Sequence, residues 1–177
     1  MSAETVCSAC RQPKSTRTNG LLCGLCYEIL CKDCAIFMPD DAFSFLPDIP
    51  EDLRHPIYCP RCHDQKVQPA LDEYNAKLNR AKEVLIFDKK VKHVPTTKID
   101  RYKISVTDCP DKQEMMMRLA FQAVEQSFNA IIKAEMSSKK VNLGGYQTSA
   151  WSGSGFPANV NKEELVEAEI WDRNNRK

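Results

Sequence analysis

The sequence predicts an α+β protein in three successive parts. These are a small cysteine-rich module at 1–64, a connecting helix and linker at 65–100, and a βαββ domain with a short terminal helix at 101–177. Three observations support this division. Eight of the nine cysteines form four close pairs in the first part. Apolar residues then recur at intervals of three or four, which is typical of a helix, and further on they alternate with polar residues, which is typical of a strand.

Composition limits the class of protein. Apolar residues make up 42% of the chain and charged residues 28%, as in soluble globular proteins. No apolar run approaches the roughly 20 residues that span a bilayer. The first ten residues lack the basic and apolar segments of a secretory signal. We therefore expect a cytoplasmic protein, whose cysteines stay reduced and act as metal ligands.

The four cysteine pairs are C-x-x-C motifs, a pattern typical of structural zinc. Each motif can form a tight turn that directs two sulfurs at one ion, and a tetrahedral site needs two such motifs. Thiolates favour zinc over magnesium or calcium. Four redox dithiols or an iron–sulfur centre are the alternatives. The sequence therefore predicts two Zn²⁺ ions held by eight residues: Cys7, Cys10, Cys23, Cys26, Cys31, Cys34, Cys59 and Cys62.

Two groupings of the pairs are compatible with two tetrahedral sites. A sequential grouping joins the first pair to the second and the third pair to the fourth. An alternating, or cross-brace, grouping places Cys7, Cys10, Cys31 and Cys34 at one ion, and Cys23, Cys26, Cys59 and Cys62 at the other. His55 and His63, close to the last pair, are competing ligands only if a cysteine is misassigned.

The gaps of 12, 4 and 24 residues between successive pairs resemble those of the FYVE-type finger, over residues 5–85. This resemblance implies a treble-clef, cross-brace fold with the alternating grouping. A RING finger would have a histidine and a shorter gap where the four-residue gap stands. FYVE domains that bind phosphatidylinositol 3-phosphate carry a basic cluster just before the third cysteine. This chain reads Thr18-Asn19-Gly20-Leu21-Leu22 there, so we expect no phosphoinositide binding.

The charge of the cysteine-rich module argues against a nucleic-acid partner. Residues 1–64 hold six basic and nine acidic side chains, a net charge of −3. Eight thiolates and two Zn²⁺ ions add a net −4, so the loaded module carries about −7. Nucleic-acid binding depends on neutralising phosphates, which a module of this charge cannot do. We therefore expect a protein partner.

An amphipathic pattern follows the cysteine-rich module. Apolar side chains at one helical spacing are Val67, Leu71, Tyr74, Leu78, Ala81 and Leu85. They predict a helix from Gln65 to Ile86, with Pro69 in its first turns, where a missing N–H costs least. The lysine-rich stretch Phe87–Asp100 is predicted to be a linker. Before the helix, the apolar loop Ala35–Tyr58 either covers the cysteine turns as a small core or docks a partner.

Residues 101–177 alternate between strand and helix patterns. The predicted elements are a strand Arg101–Cys109 with Tyr102, Ile104 and Val106 on one side, a helix from Pro110 to Phe128, a strand Ala130–Val141, a turn at Gly144–Gly145, a strand Tyr146–Trp151 and a helix Lys162–Trp171 capped by Asn161, followed by a frayed tail. The third strand has a Gly/Ser-rich end, and its segment Ser152-Gly153-Ser154-Gly155 is interpreted as a turn and not as a phosphate-binding loop. The lone Cys109 is predicted to be a buried apolar residue.

The strand–helix–strand–strand order over 101–160 is similar to that of the YbjQ-like domain, a small bacterial domain with a heavy-metal-binding label. The likeness rests on Phe128-Asn129-Ala130-Ile131-Ile132 at the helix end and on Trp151–Gly155. It implies a βαββ fold that assembles into rings, commonly pentamers. No clustered Cys/His site lies between Tyr102 and Val160, so the resemblance implies no metal here. The nearly all-apolar helix also favours a homo-oligomer, unless the helix at 65–86 covers it.

These patterns predict a non-enzymatic, zinc-binding adaptor with an oligomerising C-terminal domain. His55, His63 and His93 are not set among carboxylates, and no nucleophile stands beside a base. Eight cysteines at two ions leave no open position for a catalytic water. Two alternatives remain open: a ubiquitin-ligase-like finger, because cross-brace modules can recruit conjugating enzymes, and a metal or redox sensor.

Overall fold

The computed structural model describes residues 6–13, 20–91, 93–143 and 145–165. It mixes helices and strands, which confirms the broad α+β class. The chain forms two compact units, with the boundary between Asn75 and Ala76. No helix in the described part of the chain is long and apolar enough to cross a membrane.

The first unit contains very little regular structure. Two hairpins, each of two-residue strands, pair β1 (Leu21–Leu22) with β2 (Ile29–Leu30) and β3 (Ile36–Phe37) with β4 (Ile57–Tyr58). A 3₁₀ turn, Glu51–Leu53, precedes β4. Isolated hairpins of this size are not stable in water. The first unit therefore needs another source of stability.

One buried cluster of the first unit is formed largely by cysteines. Cys7, Cys23 and Leu30 are completely buried and cluster with Cys59. In a second buried group, the ring of Phe43 packs edge-on against Tyr74 with centroids 5.3 Å apart. The loop 35–58 thus supplies core residues, as one of its two predicted roles requires. It also exposes an apolar residue, since about half of the Phe37 surface is accessible.

The connecting helix differs from its prediction at both ends. Helical structure begins with α1 (Pro60–Cys62), continues as a π-helical turn (His63–Val67) and becomes α2 (Gln68–Ala81). The predicted start at Gln65 was too late, because a cysteine pair also forms the first helical turn. The wide π turn ends just before Pro69, whose ring would collide with the carbonyl four residues back in a regular helix.

Over 104–160 the second unit follows the strand–helix–strand–strand order that was predicted there. Two strands that were not predicted, Leu85–Asp88 and Thr96–Ile99, complete a curled five-stranded sheet. Its strands are β5 (Leu85–Asp88), β6 (Thr96–Ile99), β7 (Ile104–Cys109), β8 (Ala130–Leu143) and β9 (Tyr146–Val160). The long strands β8 and β9 form the centre. Strand β5 pairs in parallel with β8, and both β6 and β7 pair antiparallel with the other side of β9.

Two predictions for the segment 85–100 are corrected by this sheet. Leu85 and Ile86 belong to β5 and not to the end of a helix, and the predicted linker contains β6. The helical spacing of apolar residues continues through Leu85, but this position is also compatible with a strand. The pattern alone therefore could not separate a helix end from a strand start. Leu85 and Ile86 pair with Ala130 and Ile131 of β8, and this pairing makes them a strand. Local propensity is a weak prior beside such tertiary contacts.

Helix α3 (Lys112–Glu125) lies on one face of the sheet. The Asp111 side chain caps it by accepting a hydrogen bond of 2.8 Å from the Glu114 N–H. Its buried residues are Met115, Leu119, Ala120, Phe121, Ala123 and Val124. Cys109 is also buried there, as predicted, whereas Tyr102 is exposed and does not join Ile104 and Val106 in the core.

The segment 152–155 lies inside β9, so its interpretation as a turn was wrong. A Cβ atom on Gly153 would lie 2.2 Å from the Met115 sulfur and 2.9 Å from Leu119 of α3, and one on Gly155 would lie 2.4 Å from Ile131. The two glycines therefore allow close packing on the strand. After β9, residues 162–165 are helical beyond Asn161, which accepts from the Glu163 N–H at 3.1 Å. The rest of the predicted last helix, the frayed tail and Gly144 lie outside the described residues.

Candidate metal centre

Four cysteines of the first unit form one cluster, from two turns that are distant in the sequence. Cys7 and Cys10 lie in a turn in which the Arg11 N–H donates to the Cys7 carbonyl at 2.8 Å. Cys31 and Cys34 lie in the turn after β2, where the Ala35 N–H donates to the Cys31 carbonyl at 3.0 Å. The four sulfurs all lie within 4.8 Å of one another. This cluster is called centre 1 below.

A second cluster, centre 2, joins a turn to a helix start. Cys23 and Cys26 lie in the turn between β1 and β2, closed by a 3.0 Å hydrogen bond from the Tyr27 N–H to the Cys23 carbonyl. Cys59 caps α1, and Cys62 is its last residue. These four sulfurs also lie within 4.8 Å of one another.

The turn that holds Cys7 and Cys10 and the turn that holds Cys23 and Cys26 share one backbone feature. Arg11 follows Cys10 with φ of 57°, and Tyr27 follows Cys26 with φ of 59°. This left-handed conformation is uncommon for residues other than glycine. It turns the chain sharply after the second cysteine of each pair. Both sulfurs of the pair can then face the same point.

The distances between sulfurs fit a tetrahedral metal site. Zinc–sulfur bonds of about 2.3 Å give a tetrahedron with edges of about 3.8 Å. The Cys10 and Cys31 sulfurs are 3.8 Å apart in centre 1, and the Cys26 and Cys59 sulfurs are 3.8 Å apart in centre 2. A disulfide would need about 2.05 Å. All nine cysteines are free thiols.

The centres follow the alternating grouping. The first and third pairs form centre 1, and the second and fourth form centre 2. Each centre therefore closes a long loop, and the two loops interleave. The segment that runs from Cys23 to Cys34 contributes to both. An ion bound at either centre would restrain the ligands of the other, because they share this segment.

Backbone amides support one buried sulfur in each centre. The Cys31 N–H donates to the Cys7 sulfur at 3.3 Å, and the Cys62 N–H donates to the Cys59 sulfur at 3.3 Å. Hydrogen bonds of this kind stabilise the charged form of a thiol. They are the outer contacts that orient metal-binding sulfurs.

The electrostatics of the metal-free clusters are unfavourable to four thiolates. Burial raises the pKa of Cys7, but hydrogen bonds from backbone amides, first that of Cys10, outweigh it and lower the pKa to about 6. Burial also raises the pKa of Cys23, but hydrogen bonds from backbone amides, first that of Cys26, outweigh it and lower the pKa to about 6. In contrast, hydrogen bonding with the sulfurs of Cys31 and Cys10 raises the pKa of Cys34 to about 12. Burial, followed by contact with the other sulfurs, raises that of Cys62. A divalent cation would offset the repulsion between neighbouring thiolates, so that all four cysteines of a cluster could be ionised together.

Zinc binding should therefore release protons and weaken as the pH falls. Cys34 and Cys62 have raised pKa values and hold their protons in the metal-free protein at pH 7, so zinc must displace those protons. We expect the apparent affinity to rise with pH between about 6 and 8. Calorimetric titration in buffers of different ionisation enthalpy measures the released protons. A pH-independent affinity with no proton release would contradict this electrostatic account.

Gly24 in the first turn of centre 2 is packed against His55. A Cβ atom at Gly24 would lie 2.2 Å from both Cβ and Cγ of His55, and the Gly24 N–H donates to the Ile57 carbonyl at 2.9 Å. His55 is held in place because its N–H donates to the Tyr58 hydroxyl at 3.1 Å. The role of His55 is thus to pack on the turn and not to replace a cysteine ligand.

We expect Gly24→Ala to destabilise the first unit by about 1–3 kcal/mol, the usual cost of overpacking. The double variant Gly24→Ala/His55→Gly removes the colliding atoms and should recover part of the loss. Chelator competition, monitored by zinc release, measures both variants. If the single variant competes as well as the unaltered protein, this packing contact contributes nothing to centre 2.

Sequence reasoning did not find this packing, because a glycine inside C-x-x-C carries no signal of its neighbour 31 positions away. The histidines considered as competing ligands are in neither centre. His63 instead lies 3.2 Å from the Asp64 carboxylate. Cys109, in the second unit, belongs to neither group. No protein-family model, curated protein or solved structure matches the chain.

Proposed function

We propose that the first unit is a structural two-zinc module that serves as a non-enzymatic, cytoplasmic protein-interaction module. The observation that carries this proposal is the pair of interleaved four-sulfur clusters. Four soft ligands at tetrahedral spacing fit zinc, and they fill its coordination sphere. A closed site of this type supports a fold and leaves no position for a catalytic water.

The resemblance to FYVE-type fingers supports the finer assignment to the treble-clef, cross-brace class. The alternating grouping is the one that this class uses. The resemblance of 101–160 to YbjQ-like domains supports an oligomerising second unit, although the sheet has five strands. We propose that the whole chain is an adaptor in which zinc orders one unit and the other assembles copies.

Exposed apolar side chains on the first unit support a protein partner. The large apolar residues with about half or more of their surface accessible there are Val6, Leu22, Tyr27 and Phe37. Apolar side chains that are exposed on a folded module are available for contact with a partner. A zinc-ordered backbone would hold them in place for a partner.

Metal analysis of the purified full-length chain tests the zinc proposal. We expect two zinc ions per chain after dialysis against metal-free buffer. Native mass spectrometry should show the chain with the added mass of two zinc ions. One zinc per chain, or stoichiometric iron with a visible charge-transfer band, would overturn it. Light scattering of the same sample tests assembly, and a monomer at every concentration would remove the oligomer proposal without affecting the zinc proposal.

A further inference from the structure

The second unit has an apolar groove with a cationic rim. The groove has a volume of about 630 Å³ and lies between the end of α2, the start of β5 and the first turns of α3. Its apolar lining is Ala81, Val84, Ile86, Met116, Met117 and Ala120. Lys82 and Lys112 also line it and are exposed. Methionine-rich surfaces of this kind adapt to apolar side chains.

The two lysines keep their charge available for an anionic partner. Lys82 donates to the neutral Asn79 side chain at 3.1 Å. Among the carboxylates of the described residues, none forms an ion pair with Lys82 or Lys112. The groove thus offers an apolar floor with positive charge at its edge. Its fitting occupant is a segment with apolar side chains flanked by acidic ones.

The chain leaves the sheet beside this groove. At the end of β9, Val160 exchanges two hydrogen bonds with the Asn129 side chain, at 2.9 and 3.0 Å. The Asn129 carbonyl also accepts from the Leu85 N–H at the start of β5, at 3.2 Å. Two residues further on, the Lys162 ammonium lies 3.9 Å from the carboxylate of Glu83, between the groove residues Lys82 and Val84.

The sequence that follows has the composition that the groove requires. Its apolar residues are Leu165, Val166, Ile170 and Trp171, and its acidic residues are Glu163, Glu164, Glu167, Glu169 and Asp172. From residue 165, seven residues reach about 10 Å as a helix and about 23 Å when extended. The groove edge at Lys82 is adjacent to Glu83, which already contacts Lys162. The segment 166–172 is therefore within reach of it.

We propose that the segment 166–172 of the same chain binds in this groove, with its apolar side chains on the methionines and its carboxylates toward Lys82 and Lys112. Trp171 is the main apolar group, because aromatic side chains contribute the most buried area at such contacts. This contact covers the exposed side of α3. It concerns the second unit alone and does not depend on zinc.

Tryptophan fluorescence of the full-length protein tests the proposal. The chain has two tryptophans, so the difference between the unaltered protein and Trp171→Phe isolates the emission of Trp171. We expect this emission to be blue-shifted and protected from acrylamide. Lys82→Glu/Lys112→Glu should shift it to the red and raise the quenching constant severalfold. The matched control Lys90→Glu/Lys140→Glu, at exposed lysines outside the groove, should change neither value.

A charge swap and a dilution series make the result decisive. Adding Glu167→Lys/Glu169→Lys to Lys82→Glu/Lys112→Glu should restore the blue shift and the protection. Water-like emission from Trp171 in the unaltered protein would overturn the proposal. A blue shift that disappears on dilution, together with a fall in mass by light scattering, would also overturn it in favour of binding to a second copy.

Discussion

Cys31→Ser is expected to unfold the first unit and leave the second unit folded. Cys31 is a ligand candidate at centre 1, and its amide also supports the buried Cys7 sulfur. The described part of this unit has four strands of two residues each, and one of its buried clusters consists largely of cysteines. Structural zinc contributes roughly 10–16 kcal/mol of apparent binding free energy, which such a unit cannot replace. Two-dimensional NMR of the full-length variant should show collapsed amide dispersion for the first unit only.

Cys109→Ser is the matched control for this substitution. Cys109 is buried in the second unit, outside both sulfur clusters. The control should retain two zinc ions and all resonances of the first unit. A Cys31→Ser variant that keeps native dispersion in residues 20–62 would show that metal does not hold this unit. Loss of the second unit's resonances as well would show that the two units do not fold independently.

Leu119→Ala is expected to destabilise the second unit by about 2–5 kcal/mol, the usual cost of removing a buried leucine side chain. Leu119 is completely buried on the face of α3 that packs against the sheet. Its side chain lies close to Gly153 of β9, where no replacement atom is available to fill the cavity. Thermal or urea unfolding of the zinc-loaded chain, followed by far-ultraviolet circular dichroism, measures this change.

Gln122→Ala provides the matched control within the same helix. Gln122 lies three positions away, is only partly buried and does not line the groove. It should cost clearly less stability than Leu119→Ala. Zinc content should remain at two ions per chain in both variants, because neither contacts the centres. Equal losses for the two variants would contradict the packing of α3 described above.

The cysteine clusters were accessible to sequence analysis because their ligand spacing is local. Each C-x-x-C pair forms its own turn, so four pairs could be identified without knowing the fold. The grouping was a different matter, since spacing alone allowed Cys7 and Cys10 to join either the second or the third pair. The resemblance to FYVE-type fingers indicated the alternating arrangement, which is the grouping that the structure shows.

The second unit was harder to predict, because distant pairing decides its edges. The pattern through Leu85 fitted a helix, and only the parallel contact with β8 makes it a strand. Gly153 and Gly155 suggested a turn, although they are the positions where a helix and an isoleucine approach β9. Sequence patterns record local preference and burial. They do not show which distant helix or strand a given segment will contact.

NMR of the protein loaded with isotopically labelled cadmium tests the central claim most directly, because scalar coupling assigns each metal to its own cysteines. The interleaved arrangement predicts two cadmium resonances. One should couple to the β protons of Cys7, Cys10, Cys31 and Cys34, and the other to those of Cys23, Cys26, Cys59 and Cys62. A single resonance, or coupling of the first two pairs to one ion, would contradict it.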